Sequence, residues 1–594
     1  MKKNLLFFSI VIFISFSFII ENNCYASCDC GSTDSTKPCT GQLIKITVKA
    51  ETPNGGKAVD NEYTWTFNSN GGDARCGQFA NGDYWVAPAV GQSTVTVTGI
   101  SSSSHSTLIS ADENPETEAI GLLSGVKSYG NYSATENILP SLPKTYSSTT
   151  SIVAALQRNE AIEGICGTSA IVGECVDSYN VLTVVSAVPP LAGAESIRPN
   201  ITGKTKELLT LTDFDLTRLP KKSFLSGADP TGLAGITRRW SHSIETMGLH
   251  SSAHSYDGYS EGGRAFRSHT LIDDYGAGTA GAYNNDLMTI FSDSNTDQEK
   301  KAPVAAMLTY GLDLYHAIYD APDGIVRDWG SGATQHVGKF MPVVFLAALA
   351  KDAKYANNVK TASSHLWDRR FSGPSELAQV LPGANGPVWG DIQPHLAAVN
   401  YHGSYWDSLM KAHCYDDSTI ACNTNAGPNR TMLDPYGFID GPPVMPASYY
   451  YGSSLGVQRA MVATMFLMPE VCDIINYDAL IQYVDRTISH GRQSGNDPCV
   501  TPDSREDFAN CDPYRNKGCL YYGVTWGPKN PADINSECIT TPTPPYNKAG
   551  RFSKLDGIAV GAVYTTNQVE TNWEEIRGTA GSCRVPLRGK GIAQ

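Results

Sequence analysis

Hydrophobic and polar positions change their spacing partway along the chain. Between residues 28 and 195 they alternate with a period of two: Leu43-Ile44-Lys45-Ile46-Thr47-Val48, Tyr63-Thr64-Trp65-Thr66-Phe67 and Ser93-Thr94-Val95-Thr96-Val97. Runs of this kind, separated by Gly, Ser, Asn and Asp clusters, predict short half-buried strands and a β-sandwich-like module. Val181 to Val185 reads as its last strand, and Pro189-Pro190 and Arg198-Pro199 mark a linker beyond it. From about residue 205 the apolar positions recur at helical spacing, in Ala302–Tyr319, Phe340–Ala350, Ser454–Met468 and Ala479–Ile488. The expected fold class is therefore multidomain β + α, with the β-sandwich-like module first and a domain of paired helices after it. Residues 492–550, rich in Cys, Pro, Asn and Asp, read as an irregular stretch stapled by disulfides.

The two ends of the chain refine this layout. Lys2 and Lys3 precede an apolar run from Leu5 to Ile20, and a small-residue site follows around Tyr25-Ala26-Ser27. That order predicts a signal peptide over 1–27 and a secreted protein (periplasmic, extracellular or cell surface). No later stretch is long and apolar enough for a membrane span, so no stable membrane insertion is expected. The domains are then 28–195 (β), 196–210 (linker), 211–491 (helical), and 492–594 (the Cys-rich stretch and the C-terminal part of the helical domain). Of the 15 cysteines, Cys24 falls in the leader, and the others form even groups, Cys28 to Cys175 and Cys414 to Cys583. Even sets in an exported chain predict disulfides rather than zinc sites, which would call for CxxC pairs.

Charge removes one class of partner. The chain carries 45 Lys+Arg against 59 Asp+Glu, a formal charge of −14, without a basic run. Nucleic-acid binding needs clustered cations and is not expected.

Histidine supplies the candidate chemistry. Of the 12 histidines only His105 lies in the β region; the rest fall between His242 and His490, where Tyr and Trp also crowd. Aromatic rings stack on sugars, and imidazole and phenol groups move protons. Three segments stand out. The first is the Gly-rich loop Trp329 to Lys339 with His336, feeding an apolar helix whose N-terminus favours anions. The second runs from Trp389 through His395 to Tyr401, His402, Tyr405 and Trp406. The third holds His242, His250, His254, Arg264, Arg267 and His269. No HExxH accompanies the His250/His254 pair, so no metal is expected there. No cofactor is read; calcium is left open, since no acidic loop follows an EF-hand pattern. A G-x-S-x-G element is absent, which argues against a serine hydrolase.

The Gln335-His336-Val337-Gly338-Lys339 loop and the apolar Met341 to Phe345 that follow it resemble a segment of secreted bacterial heparinase- or alginate-lyase-like proteins with an (α/α) toroid. Trp389-Gly390 to His395, Tyr483 to Arg486 and Gly77 to Val86 are similar to other segments of such chains. Thr334-Gln335 stands where the family has Gly-Gly, and Lys339 where Arg is usual. The resemblance implies a toroid with a central cleft and β-elimination on a uronic-acid polysaccharide. There a base removes the C5 proton, the neighbouring carboxylate is neutralised, and an acid protonates the leaving oxygen.

The reading is a polysaccharide lyase-like enzyme acting on an acidic polysaccharide. His336 is base or neutraliser, Tyr401 or Tyr405 the acid, and His402 assists. Arg264, Trp329, Lys339, Trp389 and His395 bind sugar. Two alternatives remain. One is a glycoside hydrolase on a helical barrel using a pair among Asp313, Asp328, Asp391 and Asp407. The other is a non-catalytic surface glycan-binding or envelope protein.

Overall fold

The computed structural model describes residues 37–50, 59–103, 107–115, 135–157, 176–241, 244–245, 265–266, 276–319, 335–366, 380–383, 386–389, 449–477, 480–481, 484 and 567–583. Its N-terminal part holds β1 (Cys39–Gly41), β2 (Leu43–Ala50), β3 (Val59–Asn68), β4 (Ala74–Gln78), β5 (Tyr84–Ala87), β6 (Val95–Ser102), β7 (Thr107–Glu113), β8 (Lys144–Tyr146), β9 (Thr150–Gln157) and β10 (Val176–Val184). They form a six-stranded sheet ordered β1-β4-β5-β10-β9-β7 and a four-stranded sheet ordered β2-β3-β6-β8. Pairing is antiparallel except between β5 and β10, which run parallel with Leu182 opposite Tyr84.

Alternation sets which face is buried. Along β2, Ile44, Ile46 and Val48 are buried while Lys45 and Thr47 are exposed. One apolar cluster takes Ile44, Trp65, Phe67 and Val97 from the four-stranded sheet and Val86, Ile152, Leu156 and Leu182 from the six-stranded one. Buried hydrogen bonds cross this cluster. Asn61 Nδ2 donates to Ser178 Oγ (2.9 Å), Tyr63 OH and Ser178 Oγ bond at 2.9 Å, and Trp65 Nε1 donates to Asn180 Oδ1 (3.1 Å). They satisfy polar groups that would otherwise be costly to bury, and they tie β3 to β10 across the two sheets. Residues 150–156 of β9 are buried without interruption, the pattern of a strand covered on both faces.

Helices follow: α1 (Pro230–Ser241), α2 (Gly276–Ile290), α3 (Asp297–Tyr319), α4 (Gln335–Leu349), α5 (Ala353–Leu366), α6 (Tyr449–Leu467), α7 (Pro469–Ile475), α8 (Asn567–Thr571) and α9 (Trp573–Gly578). A capping box opens α3: Thr296 N donates to Glu299 Oε2 (2.7 Å) and Glu299 N to Thr296 Oγ1 (3.3 Å). Helix α4 packs against α2, α3, α5, α6 and α7. Residues 340–350 are accordingly all buried, so no polar face marks this helix. Gly311 on α3 allows its close crossing with α4; an added Cβ there would sit 2.5 Å from the Pro342 carbonyl oxygen. Left-handed Asn476 ends α7. A disulfide joins Cys472 on α7 to Cys583, with Cα atoms 6.0 Å apart. Cys39 and Cys76 are also disulfide-bonded.

Short strands β11 (Ile244–Glu245) and β12 (Ala265–Phe266) pair with each other, as do β13 (Val380–Gly383) and β14 (Gly386–Trp389). Among the described residues no helix is long and apolar enough to cross a membrane.

The strands at 43–48, 63–67 and 181–184 and the helices at 302–319 and 454–467 fall where the periodicity places them. The strand expected at 93–97 instead begins at Val95 and runs on to Ser102. Gly99, Ser101 and Ser102 break the apolar alternation there, but their backbone continues the ladder with β3. Of the helix expected at 479–488, residues 480, 481 and 484 are described, and all three are helical.

Candidate functional site

Helix α4 starts five residues before its apolar run, which brings the backbone of His336 into its first turn and makes Lys339 its fifth residue. Trp389 closes β14, with its backbone paired to Val380. Arg264, Trp329, His395, Tyr401, His402 and Tyr405 lie outside the described residues, as do Asp328, Asp391 and Asp407. The convergence of His336 with the 401–405 tyrosines therefore belongs to the functional proposal below.

Asp313 has a different role from the one weighed for it. It lies on α3, 5% exposed, and accepts Arg198 Nη1 at 3.1 Å on Oδ1 and Nη2 at 2.6 Å on Oδ2. Ile201 N also donates to Oδ1, at 3.0 Å. A carboxylate held bidentately and capped by an amide serves structure and is not presented to a substrate.

Two acid–base clusters occupy the segment between sheets and helices. The first is sealed. Arg198 Nε donates to Asp83 Oδ2 at 2.6 Å and its Nη1 to the Pro199 carbonyl at 2.8 Å, in addition to the Asp313 contacts. Burial alone would lower the Arg198 pKa; the Asp313 and Asp83 carboxylates outweigh it and hold the guanidinium above its ordinary value. Beside it, Lys206 Nζ donates to the carbonyls of Asn200 (2.7 Å) and Ile201 (2.9 Å). Burial pushes this ammonium well below its ordinary pKa, with Asp313 opposing.

The second cluster is at the edge of water. Glu207 accepts hydrogen bonds from Tyr355 OH and Lys354 Nζ, and its Oε2 lies 3.6 Å from His316 Nε2. Tyr315 stands against both His316 and Tyr355, with ring centroids 5.5 and 4.7 Å away, and Asn358 Nδ2 donates to Tyr315 OH at 2.7 Å. His316, 3.6 Å away, and then the hydrogen bonds from Lys354 and Tyr355 hold Glu207 down to about 2 against the opposing effect of burial. Burial, and then the Glu207 carboxylate, push the Tyr355 phenol above its ordinary value.

Carboxylate, imidazole, phenol and ammonium thus meet here, but each of the Glu207 contacts is internal. As it stands the arrangement anchors residue 207 to α3 and α5. A third pair, Arg239 with Asp286, lies under α1; Trp240 Nε1 also donates to Asp286 Oδ2, at 2.7 Å. Burial raises Asp286 despite Arg239. Among the described residues no group of three or more His, Cys, Asp or Glu side chains is placed to hold a metal.

Sequence reasoning passed over Arg198, Glu207, His316 and Tyr355. Arg198-Pro199 entered it only as a linker signal, and no local spacing connects Arg198 with Asp83 or Asp313, each 115 residues away. No family model, curated protein or solved structure matches the chain.

Proposed function

We propose that this chain is a secreted, polysaccharide lyase-like protein that cleaves a uronic-acid polysaccharide by β-elimination. In this reading the two sheets are a β-sandwich and the helices belong to an (α/α) toroid. The observation that carries it is the start of α4 at Gln335, with the His336 and Lys339 backbones at the N-terminal end of a buried helix. A helix N-terminus stabilises an anion, and a uronate carboxylate beside His336 is the anion this chemistry must neutralise. The crowding of His, Tyr and Trp in the same half of the sequence supports the reading. Tyr401 or Tyr405 is then the acid, His402 assists, and Arg264, Trp329, Lys339, Trp389 and His395 grip the sugars. The chemistry asks for no metal or other cofactor.

The test is to incubate the purified chain with alginate, heparinoid, pectin and glucuronan and follow the ultraviolet absorbance of unsaturated uronate. Turnover of one of them, lowered about 10²–10⁴-fold in His336→Ala with unchanged circular dichroism, is the expected result. Reducing sugar without unsaturated product identifies a hydrolase instead. Binding without either product identifies a glycan-binding protein.

A further inference from the structure

The Gly77–Val86 segment stood out in the sequence, and the proposed chemistry makes no use of it. Its centre is a tight turn between β4 and β5. Phe79 N donates to the Asp83 carbonyl (2.8 Å), Gly82 N to the Phe79 carbonyl (2.9 Å), and Gly82 has φ of +93°. Asn81 Nδ2 donates to Asp83 Oδ2 at 2.8 Å, which orients the carboxylate. An added Cβ at Gly77 would lie 2.5 Å from the Trp85 ring, so the ring can pack this close to the strand only because residue 77 is glycine.

That turn faces the helices. Ser241, the last residue of α1, donates through Oγ to the Asn81 carbonyl at 2.6 Å. Asp83 meets Arg198, which also grips Asp313 on α3. The segment carrying Arg198 is tied on both sides. Toward the sheets, Ala80 N donates to the Ser196 carbonyl (2.9 Å), Trp85 Nε1 to that of Ala192 (3.1 Å) and Ser151 Oγ to that of Asn200 (3.1 Å). Toward α3, Glu195 pairs with Lys301, Arg198 with Asp313, and Glu207 with His316. Residues 196–202 are all buried. Linkers between independent domains are exposed and crossed by few contacts; this one is buried over its first seven residues.

We propose that the Phe79–Asp83 turn and residues 195–207 form a docking device that joins sheets and helices into one mechanical body, with Arg198 as its central element. The β region is then a fixed part of the helical body and not a tethered accessory module.

Hydrogen exchange of the full chain tests it, with peptides from β9–β10 and from α4 followed through a denaturant series. In the parent both sets should open together, at one midpoint. In Arg198→Met the two midpoints should separate. Asp83→Asn reads the same step more gently, should Arg198→Met fail to fold. The neutral triple variant Asp83→Asn/Arg198→Met/Asp313→Asn should also separate them, although it leaves no member of the triad charged and unpaired. Lys301→Ala, at the partly exposed rim, should leave them joined. Two midpoints in the parent, or a single shared midpoint in the triple variant, would overturn the proposal.

Discussion

The two acid–base clusters between sheets and helices use similar chemistry on different terms. Around Arg198, side-chain exposures are 1% for the arginine, 0% for Asp83 and 7% for Asp313; around Glu207 they are 22% for the glutamate and 43% for Lys354. In the sealed cluster the charges can exist only as a set, because removing one leaves its partners in a medium that cannot solvate them. In the open cluster His316 and Tyr355 are buried, but water reaches Glu207 and Lys354, screens that pair and can replace the ammonium. The sealed cluster therefore holds its charges to one geometry, and the open one keeps groups that can still exchange protons with solvent.

The largest effect should follow from Arg198→Ala. It strands two buried carboxylates and should cost about 3–5 kcal/mol of stability, read as a fall in the denaturant midpoint at neutral pH. The neutral triple variant should recover much of that loss, since replacing a whole buried ion set by uncharged groups is often close to neutral. A loss under about 1 kcal/mol in Arg198→Ala would mean that water reaches the site and that the contrast between the clusters is false.

Glu207→Gln should cost less, about 1–3 kcal/mol at neutral pH, and should also change the pH profile. The folded carboxyl is held down to about 2 from an ordinary value of 4.5, so between those values the unfolded chain takes up the proton first. Its contribution is complete above about 4.5 and is lost as pH falls toward about 2. The gap between parent and variant should close over that window in denaturation curves. Asp286 tilts the other way. Its carboxyl is raised by burial, so its contribution is complete below the ordinary carboxylate value and falls away as pH rises through the raised one. A gap that stays constant down the acid limb would remove Glu207 as the titrating group.

These contrasts also explain what the sequence made legible. The alternation of β2 and β3 is a local consequence of one buried face, so Ile44, Ile46, Trp65 and Phe67 could be assigned inward from sequence alone. The extent of α4 could not be read from amphipathicity, because a helix surrounded by five others has no polar face. Its first residues, Gln335 to Lys339, carry Gly338 and no apolar stripe, and Pro342 follows within the helix. The docking contacts were hidden for another reason. Asp83, Arg198 and Asp313 are far apart in the chain, and a single Arg beside Pro199 looks like any linker residue until folding brings the carboxylates to it. Of the site read from sequence, the described structure bears on the backbone of His336, Lys339 and Trp389.

The smallest effect, Lys354→Ala, sharpens the comparison most. Lys354 donates to Glu207, lies 3.8 Å from Asp352 and stands 4.9 Å over the Tyr355 ring, so a count of contacts would rank it with Arg198. Its ammonium is nearly half exposed, however, and water can take over each of these interactions. The change should cost less than about 1 kcal/mol, and that cost should shrink further in high salt, where exposed pairs are screened. The Arg198→Ala loss should hardly respond to salt, since mobile ions do not enter a sealed site. Midpoints measured for both variants at low and high ionic strength separate burial from contact number. A salt-insensitive loss of several kcal/mol in Lys354→Ala would show that contact number governs, and that Glu207 and its partners are bound to one geometry as firmly as the Arg198 triad.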